Sequence, residues 1–267
     1  MLNVAHINGT REEELRRVLR KHSNLFAGKD LLEIGSGTGV QLKILSQVCK
    51  SVVGIEIPGS AYSRHRVTEV REYDGKRIPF PDLSFDIVFS SHVLEHLKDA
   101  ADVHSEMRRV LRPGGAGVHV VPTHTWRLWN SALHYPALPG YVMERFRRTR
   151  GGQAGSDGAS SVKPNWGIRV LNLVTPPRHG ELGNRISEHW LFHPASWRRR
   201  LESHKWHVEA MQGLGLAYTG HSLFGPSVSM RVRTRWSRLL GSSTIVIVLR
   251  KEGPQTERCT VQSSVAG

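Results

Sequence analysis

Residues 31–57 place a short apolar run (31–34), a turn with glycine at positions 35, 37 and 39, a stretch with Val40, Ile44, Leu45 and Val48 at helical spacing, and a second apolar run (52–57) in direct succession. Short apolar runs on either side of one helix period make a βαβ unit, and a crossover of this kind joins parallel strands. The alternation continues with an apolar run at 86–90, a helix at 100–111 and another run at 117–122. That helix carries Val103, Met107, Val110 and Leu111 on one face and stops at Pro113, Gly114 and Gly115. The expected fold is α/β: a Rossmann-like, doubly wound, mostly parallel sheet.

The 267 residues suffice for one large domain with a substantial core. Before the first strand, Thr10 and Glu13 stand in capping-box spacing, residues 12–14 are acidic and 16–21 mostly basic, which predicts a helix with Leu15, Val18, Leu19 and His22 on its apolar stripe. After 122 the pattern changes. Residues 126–150 mix aromatics, prolines and arginines without a clear strand, and 151–161 read as a Gly/Ser-rich flexible loop. This stretch is expected to be an insertion after the fifth strand, over 123–193. A helix at 194–205, a strand from His207, an interrupting segment at 220–241 and a final strand at 244–250 follow, with a disordered tail at 253–267. The domain is therefore expected over 1–252.

Nothing in residues 1–10 resembles a secretion signal, and the longest apolar run, near 245–249, is too short to span a bilayer, so a cytoplasmic location is expected. Two cysteines without metal-type spacing suggest neither a disulfide framework nor a cysteine-bound metal. The net charge of +14 divides unevenly, about +2 in residues 1–125 and +12 in 126–267. A basic half suits an anionic partner: a phosphorylated carrier, an anionic membrane surface or nucleic acid. The segments 141–148 and 230–240 interleave arginines with large apolar groups, as helices lying on anionic membranes do, although stretches packed on the domain with arginines in water look the same.

A strand end that opens into a helix through glycines is where an open α/β sheet binds its ligand. The third glycine comes one position too early for a dinucleotide fingerprint, and an acid, Glu33, precedes the turn. A carboxylate there suits a cationic ligand such as S-adenosylmethionine (SAM), with its ammonium and sulfonium. Glu56, at the end of the second strand, is placed to accept hydrogen bonds from two ribose hydroxyls.

Four segments together resemble the class I SAM-dependent methyltransferases, in particular the branch that includes the ubiquinone and menaquinone biosynthesis methyltransferases. They are LLEIGSGTG at 31–39, VVGIEI at 52–57, IPFPDLSFDIVFSSHVLEH at 78–96 and LRPGG at 111–115. The resemblance implies a seven-stranded sheet with an antiparallel last strand. It implies Glu33, Gly35, Gly37 and Gly39 around the methionine part of SAM, Glu56 on the ribose, Asp74 and Gly75 near the adenine, and Ser91 and His92 beside the cofactor. The region between Glu56 and Asp74 is shorter than in the family, and the resemblance lapses after about residue 122, where the methyl acceptor would bind.

Methyl transfer from a sulfonium needs alignment and exclusion of water more than a metal, and no metal is assigned. If the acceptor is a hydroxyl, His92 and then His96 are the candidate bases. His179, His189 and His193 also stand out: His189 and His193 would share a helical face as a metal pair, but no H-E-x-x-H order accompanies them, and a place in the acceptor-pocket wall is the expected role. The expected activity is methylation of a small molecule or saccharide, lipid- or phosphate-linked, with O-methylation favoured. An RNA methyltransferase and a non-catalytic basic binding protein on the same fold are the alternatives.

Overall fold

The computed structural model describes residues 4–97, 100–150, 175–176, 178–219 and 228–251. Seven strands form one sheet: β1 (Asp30–Ile34), β2 (Ser51–Glu56), β3 (Arg71–Glu72), β4 (Phe85–Ser91), β5 (Leu111–Pro122), β6 (Trp206–Gly213) and β7 (Thr244–Lys251), in the order β3-β2-β1-β4-β5-β7-β6. The pairs from β3 to β5 are parallel, whereas β7 runs antiparallel to both β5 and β6. The expected doubly wound sheet with an antiparallel last strand is thus the observed one.

Strand periodicity divides the core between the two faces of the sheet. Leu31, Ile87 and Phe89 pack with Leu15, Val18 and Phe26 of helix α1 (Val4–Phe26) and with Leu45 of α2 (Val40–Leu45). Their strand neighbours Leu32 and Val88 pack on the opposite side with Val103, Met107 and Val110 of α3 (Ala100–Val110), and with Trp197 and Leu201 further along the chain. Sequential order reverses between β1 and β4, which opens a crevice at the carboxyl ends of those strands.

Several local expectations change. Helix α1 begins at Val4, so Thr10 lies inside it and its hydroxyl donates to the His6 carbonyl (3.0 Å) instead of capping the start. A kink at His22 then carries the helix on to Phe26, past the basic residues expected to close it. Helix α2 ends at Leu45, leaving Val48 in the following turn, and β5 begins at Leu111, six residues before the expected start. Residues 126–150 belong to a helix, α4 (His124–Arg150), that runs through Pro136 and Pro139; Thr123 Oγ1 accepts from Trp126 N at its start (3.2 Å). After α5 (Glu188–Leu191) and α6 (Pro194–Ser203), the segment read as an interruption contains α7 (Met230–Leu240), whose Ser229 side chain accepts from Val232 N. The short β3 pairing was not anticipated. The loop at 151–161 and the tail at 253–267 lie outside the described residues.

Candidate functional site

The crevice at the β1/β4 reversal contains a cavity of about 720 Å³. Its floor is the turn after β1. Gly35 (φ +71°) takes a left-handed backbone, and a Cβ on it would come within 2.3 Å of Val93 Cγ2. Gly37 (φ +54°) faces the cavity, where a Cβ would meet only the Tyr62 ring at 3.5 Å. Gly39 instead starts α2 and does not line the cavity. The Glu56 carboxylate ties the two loops together: Gly37 N donates to Oε2 (2.8 Å) and Ile57 N to Oε1 (2.9 Å). Asp74 and Gly75 line the far wall, with Asp74 Oδ1 accepting from Lys76 N and Arg77 N (2.8 and 2.9 Å). Ser91, His92 and His96 line it as well, and the buried Ser91 hydroxyl has no hydrogen-bond partner.

Glu33 behaves differently from its neighbours. It is 1 % exposed, lies off the cavity wall, and its Oε2 has no hydrogen-bond partner. Burial, reinforced by the nearby Glu56 charge, pushes its carboxyl up to about 8.

His92 takes φ +57°, a conformation uncommon for a side-chain-bearing residue, immediately after β4. Its backbone N–H donates to the Val120 carbonyl (2.9 Å), which fixes the turn against β5. The imidazole lies between two buried carboxylates, with Nδ1 3.2 Å from Glu95 Oε1 and Nε2 3.4 Å from Glu14 Oε2. Glu14 also accepts from Arg11 (2.9 Å), Tyr218 OH (2.6 Å) and Thr244 Oγ1 (2.7 Å). Burial would raise the Glu14 carboxyl, but the charges of His92 and Arg11 together with these hydrogen bonds hold it down at about 2. The Tyr218 hydroxyl, buried beside that carboxylate, is pushed well above its ordinary range.

Glu95 faces His92, three residues before it in the chain. It also faces His179, whose Nε2 lies 3.8 Å from Oε1. Both carboxylate oxygens are buried without an aligned hydrogen-bond donor, and the two imidazoles outweigh burial in holding this carboxyl below its usual range. His179 is brought there by Glu188, whose Oε1 accepts from the backbone of His179 and Gly180 (2.8 and 2.9 Å). His96 stays accessible, its ring edge-on to His179 with centroids 5.1 Å apart. By contrast, His189 belongs to α5 while His193 caps α6, so they do not form a helical pair.

Arg11, Glu14 and Tyr218 were not singled out as site residues from the sequence. One signal existed: Thr10, Glu14 and Val18 recur at intervals of four along α1 and are all buried, so an acid sits on the packed face of that helix.

A family model described as a methyltransferase domain matches residues 32–118. A probable S-adenosylmethionine-dependent methyltransferase from Mycolicibacterium smegmatis is 34% identical over 131 residues, covering 48% of this chain and 50% of that protein. A phosphatidylethanolamine N-methyltransferase from Cereibacter sphaeroides is 34% identical over 122 residues, covering 42% of this chain and 59% of that one. The chain thus spans about half the length of the relatives it matches. The fold is shared with an S-adenosylmethionine-dependent methyltransferase structure from Mesorhizobium loti, with a TM-score of 0.50, 15% identity, and coverage of 88% of this chain and 96% of that one.

Proposed function

Residues 32–118 are a methyltransferase domain of the class I SAM-dependent kind, and from this premise we propose that the chain methylates an oxygen of a small-molecule or saccharide acceptor that is lipid- or phosphate-linked. The observation that carries the reading is the cavity itself: about 720 Å³ at the sheet reversal, floored by Gly35 and Gly37 and walled by Glu56 and Asp74. The buried Ser91 hydroxyl on the cavity wall, which has no hydrogen-bond partner, is a polar group that a hydroxyl-bearing cofactor would satisfy. SAM, when bound, supplies a methyl group already activated on a sulfonium.

In this reading Glu56 receives the ribose hydroxyls, Asp74 and Gly75 the adenine, and Gly35, Gly37 and Gly39 shape the turn around the methionine part, near the Glu33 carboxylate. The imidazole of His92 has a carboxylate facing each ring nitrogen, so it serves position and charge, whereas the accessible His96 is the better placed to take a hydroxyl proton. His179, from the segment after β5, lines the cavity on the side where the acceptor would enter.

A lipid-linked acceptor is supported by α7. Arg231, Arg235, Arg238 and Leu239 are exposed on it, with Leu239 at 88% and Trp236 at 37%. No helix among the described residues is long and apolar enough to cross a membrane, so the lipid contact we propose is peripheral, from the cytoplasmic side.

Calorimetry with SAM tests the cofactor site. The wild-type chain should bind, and Gly37→Arg, which puts a long side chain into the cavity from a left-handed backbone position, should weaken binding at least roughly tenfold while remaining folded. Transfer of labelled methyl from SAM to lipid-linked saccharides, small hydroxylated metabolites or RNA then identifies the acceptor. Absence of binding to a folded, cofactor-free wild-type chain would overturn the reading.

A further inference from the structure

Glu95 presents an unusual arrangement. Its side chain is fully buried, both oxygens lack an aligned donor, and two imidazole nitrogens approach the same oxygen at 3.2 Å (His92 Nδ1) and 3.8 Å (His179 Nε2). One ligand atom from each of these three residues lies within 4.8 Å of the others. We propose that His92, Glu95 and His179 bind a divalent first-row transition-metal ion on the wall of the cofactor cavity.

The spacing fits such an ion. Ligand bonds of roughly 2.0–2.2 Å in a tetrahedral arrangement put neighbouring ligand atoms about 3.4 Å apart, between the two distances observed. Two imidazoles and one carboxylate are a donor set of Zn²⁺, Fe²⁺ and related ions, and three protein ligands leave coordination positions open to the cavity that His92 and His179 line. An ion would also supply a directly bound cation to carboxylate oxygens that are buried without an aligned hydrogen-bond donor.

The surroundings are built as metal sites are. A ligating histidine typically donates its second ring N–H to a carboxylate, which fixes the tautomer. With Nδ1 turned to Glu95, His92 points Nε2 at Glu14 Oε2 (3.4 Å), and Arg11, Tyr218 and Thr244 hold that carboxylate in place. On the other side, Glu188 pins the backbone of His179, and Glu181 N donates to the Glu95 carbonyl (3.0 Å), which docks the His179 segment on the Glu95 turn. The left-handed backbone of His92 is a further local cost that a ligand role accounts for. The ion's open positions would hold an acceptor oxygen near His96. That role rests on the methyl-transfer reading; the binding of the ion does not.

The untagged chain, stripped with a chelator and dialysed, is titrated with Zn²⁺, Mn²⁺ and Co²⁺ separately. Uptake is followed by elemental analysis and by the visible absorption of Co²⁺. About one equivalent is expected for the wild type, with affinity lowered roughly 10–100-fold or more in Glu95→Gln and in His179→Ala. His179 is partly exposed, so its truncation keeps the test interpretable should Glu95→Gln fail to fold. Failure of the folded wild type to take up any of the three ions, or undiminished uptake in both variants, overturns the proposal. SAM calorimetry on the stripped chain keeps the two readings apart, because the residues varied, Glu95 and His179, are not among those assigned to SAM.

Discussion

At Glu33 the chain buries a carboxylate whose Oε2 has no hydrogen-bond partner, and the acid is pushed up from 4.5 to about 8. The unfolded chain releases this proton near the ordinary value, while the folded chain keeps it until about 8. Between those values the folded state binds more protons, so stability falls as pH rises through the window. Glu33→Gln removes the titration. The cofactor-free variant should gain a few degrees in Tm over the wild type at pH 8 and much less at pH 5, as scanning calorimetry would read. Equal Tm differences at the two pH values would remove Glu33 as a stored electrostatic cost. The glycine turn at the strand end was legible because its signal is local, whereas the burial of Glu33 away from the cavity was not. Nor was Glu14, because a buried acid on an amphipathic helix becomes a site residue only through what faces it.

Helices show the same division. α3 could be read to within a residue at its C-terminal end, since its apolar face and the Pro-Gly-Gly stop are consecutive in sequence. α1 starts six residues before the predicted cap because its first turns rest on the glycine-turn region, where Thr38 Oγ1 donates to Asn8 Oδ1 (3.0 Å). Its N-terminal residues Ile7, Asn8 and Arg11 thereby reach the cavity wall. α4 runs through two prolines that argue locally against a helix, with Trp126, Asn130 and His134 buried along it. α7 leaves an apolar and basic surface outward. Leu239→Asp replaces an 88%-exposed leucine between arginines with an acid. It should lower co-sedimentation with anionic phosphatidylglycerol vesicles by roughly tenfold and leave binding to neutral vesicles at its baseline. Wild-type binding that ignores lipid charge would remove α7 as the membrane contact.

Across the whole molecule, two buried histidines link the fold to pH. His119, inside β5, and His104, in α3, are both lowered to about 3 by burial, foremost, from an ordinary 6.5. The unfolded chain protonates them below that ordinary value while the folded chain does not until far lower, so stability should decline as pH falls from about 6.5. His104 accepts from Trp206 Nε1 (3.1 Å), and His104→Gln keeps an acceptor there while removing the charge. Its Tm should depend less steeply on pH between 6.5 and 4 than that of the wild type, as a thermal-melt series would show; parallel curves would clear His104. The parallel strands and the ligand turn were readable from residues 31–122, because strands buried on both faces must be apolar and a tight turn must have its glycines in place, while the antiparallel last strand was what the family resemblance implied. The pairings around His92 were not readable. Tyr218 and Glu14, 204 residues apart, share one hydrogen bond, and His179 meets Glu95 across the insertion. Strand order and helix packing bring these groups together, and no local pattern of residues encodes the distances between them.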